Sequence, residues 1–186
     1  MFSDFDIEEE LKKDIVFKLN SIVPNDITID KIFLVENEKH ARFDAISRSY
    51  EYKIWLGRNP FLLDFSWQIH SQIPNLDLMN EAANLLLDYE DFESFSKVKT
   101  DVYTFNCNVT KAIWRQNGKE LTFYISANRF LRNMVRAIVG TLLEVGRGKL
   151  SIDEFKNIIE MKDRGLAGTS APAAGLFLVD IEYPEL

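Results

Sequence analysis

Between Asn128 and Gly148 the chain carries its densest helical pattern of apolar residues. Advancing 100° per residue brings Arg129, Arg132 and Arg136 within about 60° of one another. Phe130, Met134, Ile138, Leu142 and Val145 fall opposite, with Leu131 and Val135 on the flank. The spacing predicts one helix from about Arg129 to Val145. One turn beyond Arg136 the arginine line is continued by Val139 and Leu143, so the later turns are apolar nearly all round and the helix should be buried. Gly146 and Gly148 suit its C-terminal stop.

The rest of the pattern is shorter. Ile7, Leu11, Ile15, Leu19 and Ile22 make an amphipathic stripe that ends before Pro24, and residues 27–35 read as a strand. The polar break Glu36-Asn37-Glu38-Lys39 is the expected domain boundary, giving 1–38 and 39–186. Residues 41–56 alternate as a long strand. Its second set, Asp44, Ile46, Arg48, Tyr50, Tyr52, Ile54 and Leu56, carries most of the apolar bulk and should face the core. A helix is expected over 77–88 with Leu78, Ala82, Leu85 and Leu86 inward, then a loop anchored by Phe92 and Phe95. Residues 102–115 and 120–127 read as strands of a hairpin around Asn117-Gly118. Ser151-Ile-Asp-Glu154 is a capping box opening a helix to about Met161. Residues 163–175 form a loop of small residues, and Leu176–Tyr183 a last strand. The order predicts an α+β fold, a mainly antiparallel sheet with helices on one face, as in ferredoxin-like and RNA-recognition-motif-like domains. The aromatic signature of the common RNA-recognition motif is absent.

Composition narrows the chemistry. The chain has 186 residues, 46% hydrophobic and 27% charged, as expected of a soluble globular protein. No apolar run reaches the roughly 18 residues of a membrane span. A cytoplasmic location is expected, since the acidic start is no signal peptide. One cysteine, Cys107, excludes an internal disulfide, and one Cys with two His argues against a metal site. The net charge of −7 argues against general nucleic-acid binding. Residues 95–149, however, hold 10 Lys/Arg and 3 acids, a net of +7. That segment is either a set of solvated turns or a phosphate-binding face.

An arginine entering a buried helix needs a partner, because an unpaired buried charge is costly. Arg136 could close a structural salt bridge with an acid of this chain. It could instead orient a catalytic carboxylate or grip a phosphate. Tyr50 sits on the inner face beside Arg48 and reads as a core tyrosine with a satisfied hydroxyl. No Gly-rich phosphate loop, nucleophile elbow or metal motif is present.

Six stretches in order along the chain resemble the tRNA pseudouridine synthase A family. They are His40–Phe43, Arg48-Ser-Tyr-Glu-Tyr52, Asp91-Phe-Glu-Ser-Phe95, Asn128–Gly148 with its Met134-Val-Arg136 core, Lys162-Asp-Arg164, and Gly175-Leu-Phe-Leu-Val179. The resemblance implies conversion of uridine to pseudouridine in the tRNA anticodon stem-loop, without a cofactor, by an enzyme that is a homodimer. An aspartate attacks the target nucleotide, and the base detaches, turns and re-bonds through carbon. The uridine must first leave the stack. By motif position Tyr50 resembles the tyrosine that lies against the base and helps remove the C5 proton. Arg136 resembles the arginine that pairs with the catalytic aspartate. Arg132 stands where a base-flipping or RNA-contacting side chain is expected, Leu176 resembles a pocket wall, and Arg129 and Arg48 complete the candidate substrate contacts. The family's Gly-Arg-Thr-Asp-x-Gly-Val-His stretch is missing here. The expectation is therefore a C-terminal part of such an enzyme, with 1–38 a remnant of the preceding domain, inactive alone. Asp44, the acid nearest Tyr50 in sequence, is not promoted to nucleophile. Two other readings stand beside this one, a non-catalytic RNA-binding module and an acidic interaction domain.

Overall fold

The computed structural model describes residues 12–70, 72–97 and 102–184. Contacts divide the chain into two compact units, the first running to Asp44 and the second comprising Ala45–Tyr183.

In the first unit α1 spans Lys12–Asn20; the residues of its predicted stripe before Lys12 lie outside the described residues. The strand expected over 27–35 does not form, and those residues join no ladder. Asn20 takes the strand partner's place, accepting from the Ile29 amide and donating to the Ile29 carbonyl, both at 2.8 Å. Phe17, Ile22 and Leu34 are exposed. Residues 40–44 close on themselves rather than starting a strand. The Asp44 carboxylate accepts from the His40 amide at 2.6 Å, and the Asp44 amide donates to the His40 carbonyl. That turn sets the end of the unit five residues beyond the polar break read from sequence.

The second unit is built on β1, Ser47–Leu56. β4 (Glu120–Ala127) lies antiparallel along one side of it, and β3 (Val109–Asn117) pairs with β4. On its other side β1 pairs at its end with β2 (Trp67–Ile69), which is parallel and unforeseen, and at its start with β5 (Leu176–Glu182), antiparallel. The sheet is thus mainly antiparallel, as expected. Gly118, with φ +58, makes the tight turn between β3 and β4.

The β1 alternation holds from Tyr50 onward. Tyr52, Ile54 and Leu56 are buried, opposite Phe123 and Leu121 of β4. Ile46 is 56% exposed, contrary to the predicted pattern, because it precedes the ladder. The other face carries Ser49, Glu51 and Lys53 beside Ser126, Tyr124 and Thr122. Two cations, Lys111 and Arg115, lie over the Tyr124 ring.

Helices α2 (Leu76–Leu85), α3 (Met134–Gly146) and α4 (Ile152–Met161) pack against one another, sharing one core with the apolar face of the sheet. In α3 only Arg136 and Glu144 escape full burial. In α2 the inward set is Met79, Ala82 and Ala83, continued by Leu86 at its C-cap. Leu78, expected inside, is displaced because Met79 seats against Gly146, where a Cβ would come within 2.6 Å of its sulfur. The outer edge of β3 is blocked at Trp114, whose amide donates to the Asn80 side-chain oxygen at 2.7 Å and whose carbonyl accepts from its nitrogen. A side-chain amide there denies the edge to a further strand. Phe92 and Phe95 are fully buried, and Ser151 and Glu154 form the capping box read from sequence. No helix among the described residues is long and apolar enough to cross a membrane.

Candidate active site

The chain leaves β4 at Ala127 and does not enter a helix at once. Residues 129–131 have no regular secondary structure, and Arg132 and Asn133 form a turn. Helix α3 starts only at Met134, so Arg129 and Arg132 are not on it and the predicted three-arginine stripe does not exist. The break is local. Asn133 is left-handed, φ 69 and ψ 1, a conformation asparagine tolerates better than most residues. Its side chain does not cap the helix; it donates to Ser170 Oγ at 2.6 Å. Arg132 is exposed, and its carbonyl accepts from the Lys97 amide at 3.0 Å, so the two basic residues sit side by side.

Arg136, one turn into α3, is half-buried. Its Nε donates to the Ala171 carbonyl at 2.6 Å, and the Ala171 amide donates back to the Arg136 carbonyl at 2.9 Å. Its two terminal nitrogens have no partner among the described residues and are not sealed from solvent. No carboxylate of the described residues pairs with it, so the structural salt bridge that was one reading of this residue is not made. A guanidinium is charged at any relevant pH and presents a planar fork suited to a carboxylate or phosphate.

Tyr50 and Tyr52 project to the same face of β1. Tyr50 is half-buried, and its ring meets the edge of Phe130 with centroids 5.1 Å apart. Burial raises its pKa above 10, and the charge of Arg48 opposes the rise, so the phenol keeps its proton at neutral pH. Beside it β5 carries one extra residue, Val179, opposite the Ser49–Tyr50 step. Such bulges re-aim side chains and recur next to active sites. Tyr52 is fully buried and donates to the Pro172 carbonyl at 2.7 Å. Burial pushes its pKa far up, with Arg136 the opposing charge. The carbonyls that hold Arg136 and Tyr52 belong to adjacent residues, Ala171 and Pro172, and Tyr52 is one position along the strand face from Tyr50. Leu176 stands opposite Tyr52 in the β1–β5 register. The fold thus gathers Tyr50, Arg136 and Leu176 around the start of α3. Arg48 is otherwise engaged, donating to the Ala45 and Asn128 carbonyls at 2.8 and 2.7 Å and tying β1 to the β4–α3 junction.

Arg129 is half-buried, and its charge acts on the buried thiol of Cys107. Burial outweighs it and pushes Cys107 up to about 11. A thiol so poor in thiolate should react with Ellman's reagent about a hundred-fold more slowly than in the urea-unfolded chain. Fast labelling of the native chain would show that Cys107 is not sealed in the core.

Sequence reasoning missed the partner of this arrangement, the loop 163–175. Its small residues let it lie flush on α3. A Cβ on Gly140 would sit 1.9 Å from the Thr169 carbonyl oxygen, and one on Gly168 would sit 3.0 Å from Thr141 Cα. The Gly168 amide donates to Thr141 Oγ1 at 2.9 Å. The run of Gly, Ala, Ser and Thr was the available signal, since close backbone contact demands small side chains.

A sequence model described as tRNA pseudouridine synthase matches residues 82–184, a span that takes in Arg136, the loop and Leu176. The chain is also 53% identical, over its whole length, to tRNA pseudouridine synthase A of Parabacteroides distasonis, covering 74% of that protein. It belongs to the tRNA pseudouridine synthase family. The pseudouridine synthase of Bacteroides fragilis is 50% identical over the whole chain and 74% of its own length. That of Bacillus subtilis is 36% identical over 90% of this chain and 68% of its own length. The Bacillus match still takes in most of the chain, so it is too long to rest on a shared core alone.

Proposed function

We propose that this chain carries the tyrosine–arginine side of a pseudouridine synthase site and acts on uridine in the anticodon stem-loop of tRNA. The observation that carries the reading is Arg136, fixed through Nε on a backbone carbonyl with its terminal nitrogens left for an outside anion. Arg164, an arginine that serves only the fold, spends its terminal nitrogens on two carbonyls and a hydroxyl of its own loop, whereas those of Arg136 meet no such group among the described residues. In the reading, those nitrogens receive the carboxylate of the aspartate that attacks the nucleotide, holding it ionised and aimed. Tyr50, aromatic and uncharged, lies against the flipped-out base, and its oxygen takes part in moving the C5 proton. Leu176 walls the pocket. The reaction is an isomerisation that needs no cofactor.

Arg129, Arg132 and Lys97 supply phosphate contacts in this reading, and the working enzyme is a homodimer across which the tRNA lies. The same reading assigns residues 1–38 to a domain other than the one holding Tyr50 and Arg136; the exposed Phe17, Ile22 and Leu34 support that division. Three phosphate contacts give a definite salt dependence. Affinity for an anticodon-arm RNA should fall roughly 20- to 40-fold between about 50 and about 200 mM salt. Binding that ignores salt over that range would remove the electrostatic face from the account.

A further inference from the structure

We infer that Arg164 is a positioning residue that sets Arg136 through the 164–171 loop. The inference rests on the proposed role of Arg136 as the partner of a carboxylate.

Arg164 makes no ion pair among the described residues, and its hydrogen bonds to them all stay inside its own loop. Nη1 donates to the Ala167 and Gly168 carbonyls, both at 3.3 Å, and Nη2 donates to Ser170 Oγ at 2.9 Å. One planar group thereby fixes three successive points of a chain that has no secondary structure of its own. Ser170 Oγ also accepts from Asn133 at 2.6 Å, so the clamp reaches the residue immediately before α3. The next residue, Ala171, supplies the carbonyl that holds Arg136 Nε, and the one after, Pro172, the carbonyl that holds Tyr52.

Both ends of this segment are anchored elsewhere. Before it, Lys162 adopts a left-handed conformation and pairs with Asp91 at 2.8 Å. Asp163 then turns the chain by accepting from the Gly165 amide at 2.7 Å. After it, Gly175 packs so closely on β1 that a Cβ would sit 2.6 Å from the Lys53 carbonyl oxygen. Between these anchors Arg164 is the one long side chain that folds back into the loop. Remove it and the loop keeps its ends, but the carbonyl that orients Arg136 is no longer tied to a fixed frame. The Arg164 guanidinium thus acts on the candidate site through a second residue and touches no reacting atom.

The test uses the whole chain and proton-exchange NMR on the Arg136 Nε–H and the Ala171 amide, with the Phe123 amide in β4 as reference. Arg164→Ala should lower protection at the first two by ten-fold or more and leave Phe123 within two-fold. Arg164→Lys keeps the charge without the fork and should behave like Arg164→Ala. Ser170→Ala, which removes one hydroxyl on the surface of the loop, should give a smaller loss at the same two protons. Unchanged exchange at Arg136 and Ala171 in folded Arg164→Ala would overturn the inference. So would a loss shared equally with Phe123, which would mean general destabilisation, and so would full rescue by lysine. These readings do not depend on turnover. If pseudouridine formation fails even when the part of a relative that lies outside the match is added to the unaltered chain, the functional reading falls while the exchange data still decide the clamp.

Discussion

Gly140→Val should lower the melting temperature by roughly 10 °C and release the 164–171 loop from α3. The Cβ it adds would sit 1.9 Å from the Thr169 carbonyl oxygen, far inside any real contact. The atom it meets is backbone, so no side-chain rotation relieves the clash. Overpacking of this kind costs about 1–3 kcal/mol and more where backbone must shift. About 3 kcal/mol corresponds to roughly 10 °C for a domain of this size. Gly140→Ala sharpens the argument. Alanine is the better helix former by about 1 kcal/mol, so a helix that faced solvent would gain stability. Here the steric term is larger, and Gly140→Ala should be destabilising. Thermal unfolding followed by circular dichroism checks both. A melting temperature at or above that of the unaltered chain for Gly140→Ala would mean that the loop does not rest on α3.

The legibility of this chain divides along a physical line. Elements whose signal is local were plain in the sequence. The Ser151–Glu154 capping box, the Gly118 turn and the period of Tyr52, Ile54 and Leu56 each depend on neighbours within a few residues. The burial of α3 was also legible, because Val139 and Leu143 continue the line of Arg136. The start of α3 was not. Periodicity runs through Arg129–Asn133 without interruption, and only the left-handed Asn133 and its bond to Ser170, 37 residues on, stop the helix there. The absent strand at 27–35 is a second case of the same kind. Its composition suits a strand, but a strand needs a ladder partner, and in its unit the Asn20 side chain takes the Ile29 backbone instead. Of the site, Tyr50, Arg136 and Leu176 were named from motif position, and the fold brings them to one region. Arg48 was named as a substrate contact, and its Nη1 donates to two backbone carbonyls. Arg164 stood out only as part of the Lys162–Arg164 stretch, with no role attached, and Ser170 and Ala171 only as small loop residues, since their role exists only once the loop is docked.

Arg136 carries the second large effect. Its Nε is committed to Ala171, and a carboxylate from outside the described residues would meet the remaining nitrogens. A fork–carboxylate pair of this kind is charge-assisted and directional. Breaking a buried pair by removing one partner typically costs 3–5 kcal/mol, a loss of roughly a hundred- to a thousand-fold or more. Lysine offers a point charge without the fork and should recover only a small part of it. The most direct measurement is tritium release from tRNA carrying 5-labelled uridine. The chain alone should release none above background, because no acid of the described residues stands at Arg136. Adding the part of the Parabacteroides distasonis protein that the match leaves uncovered should start release, and the Arg136→Ala chain in the same mixture should stop it. Release by the chain alone, or release by the mixture that Arg136→Ala does not change, would contradict the assignment of the arginine side of the site to this chain.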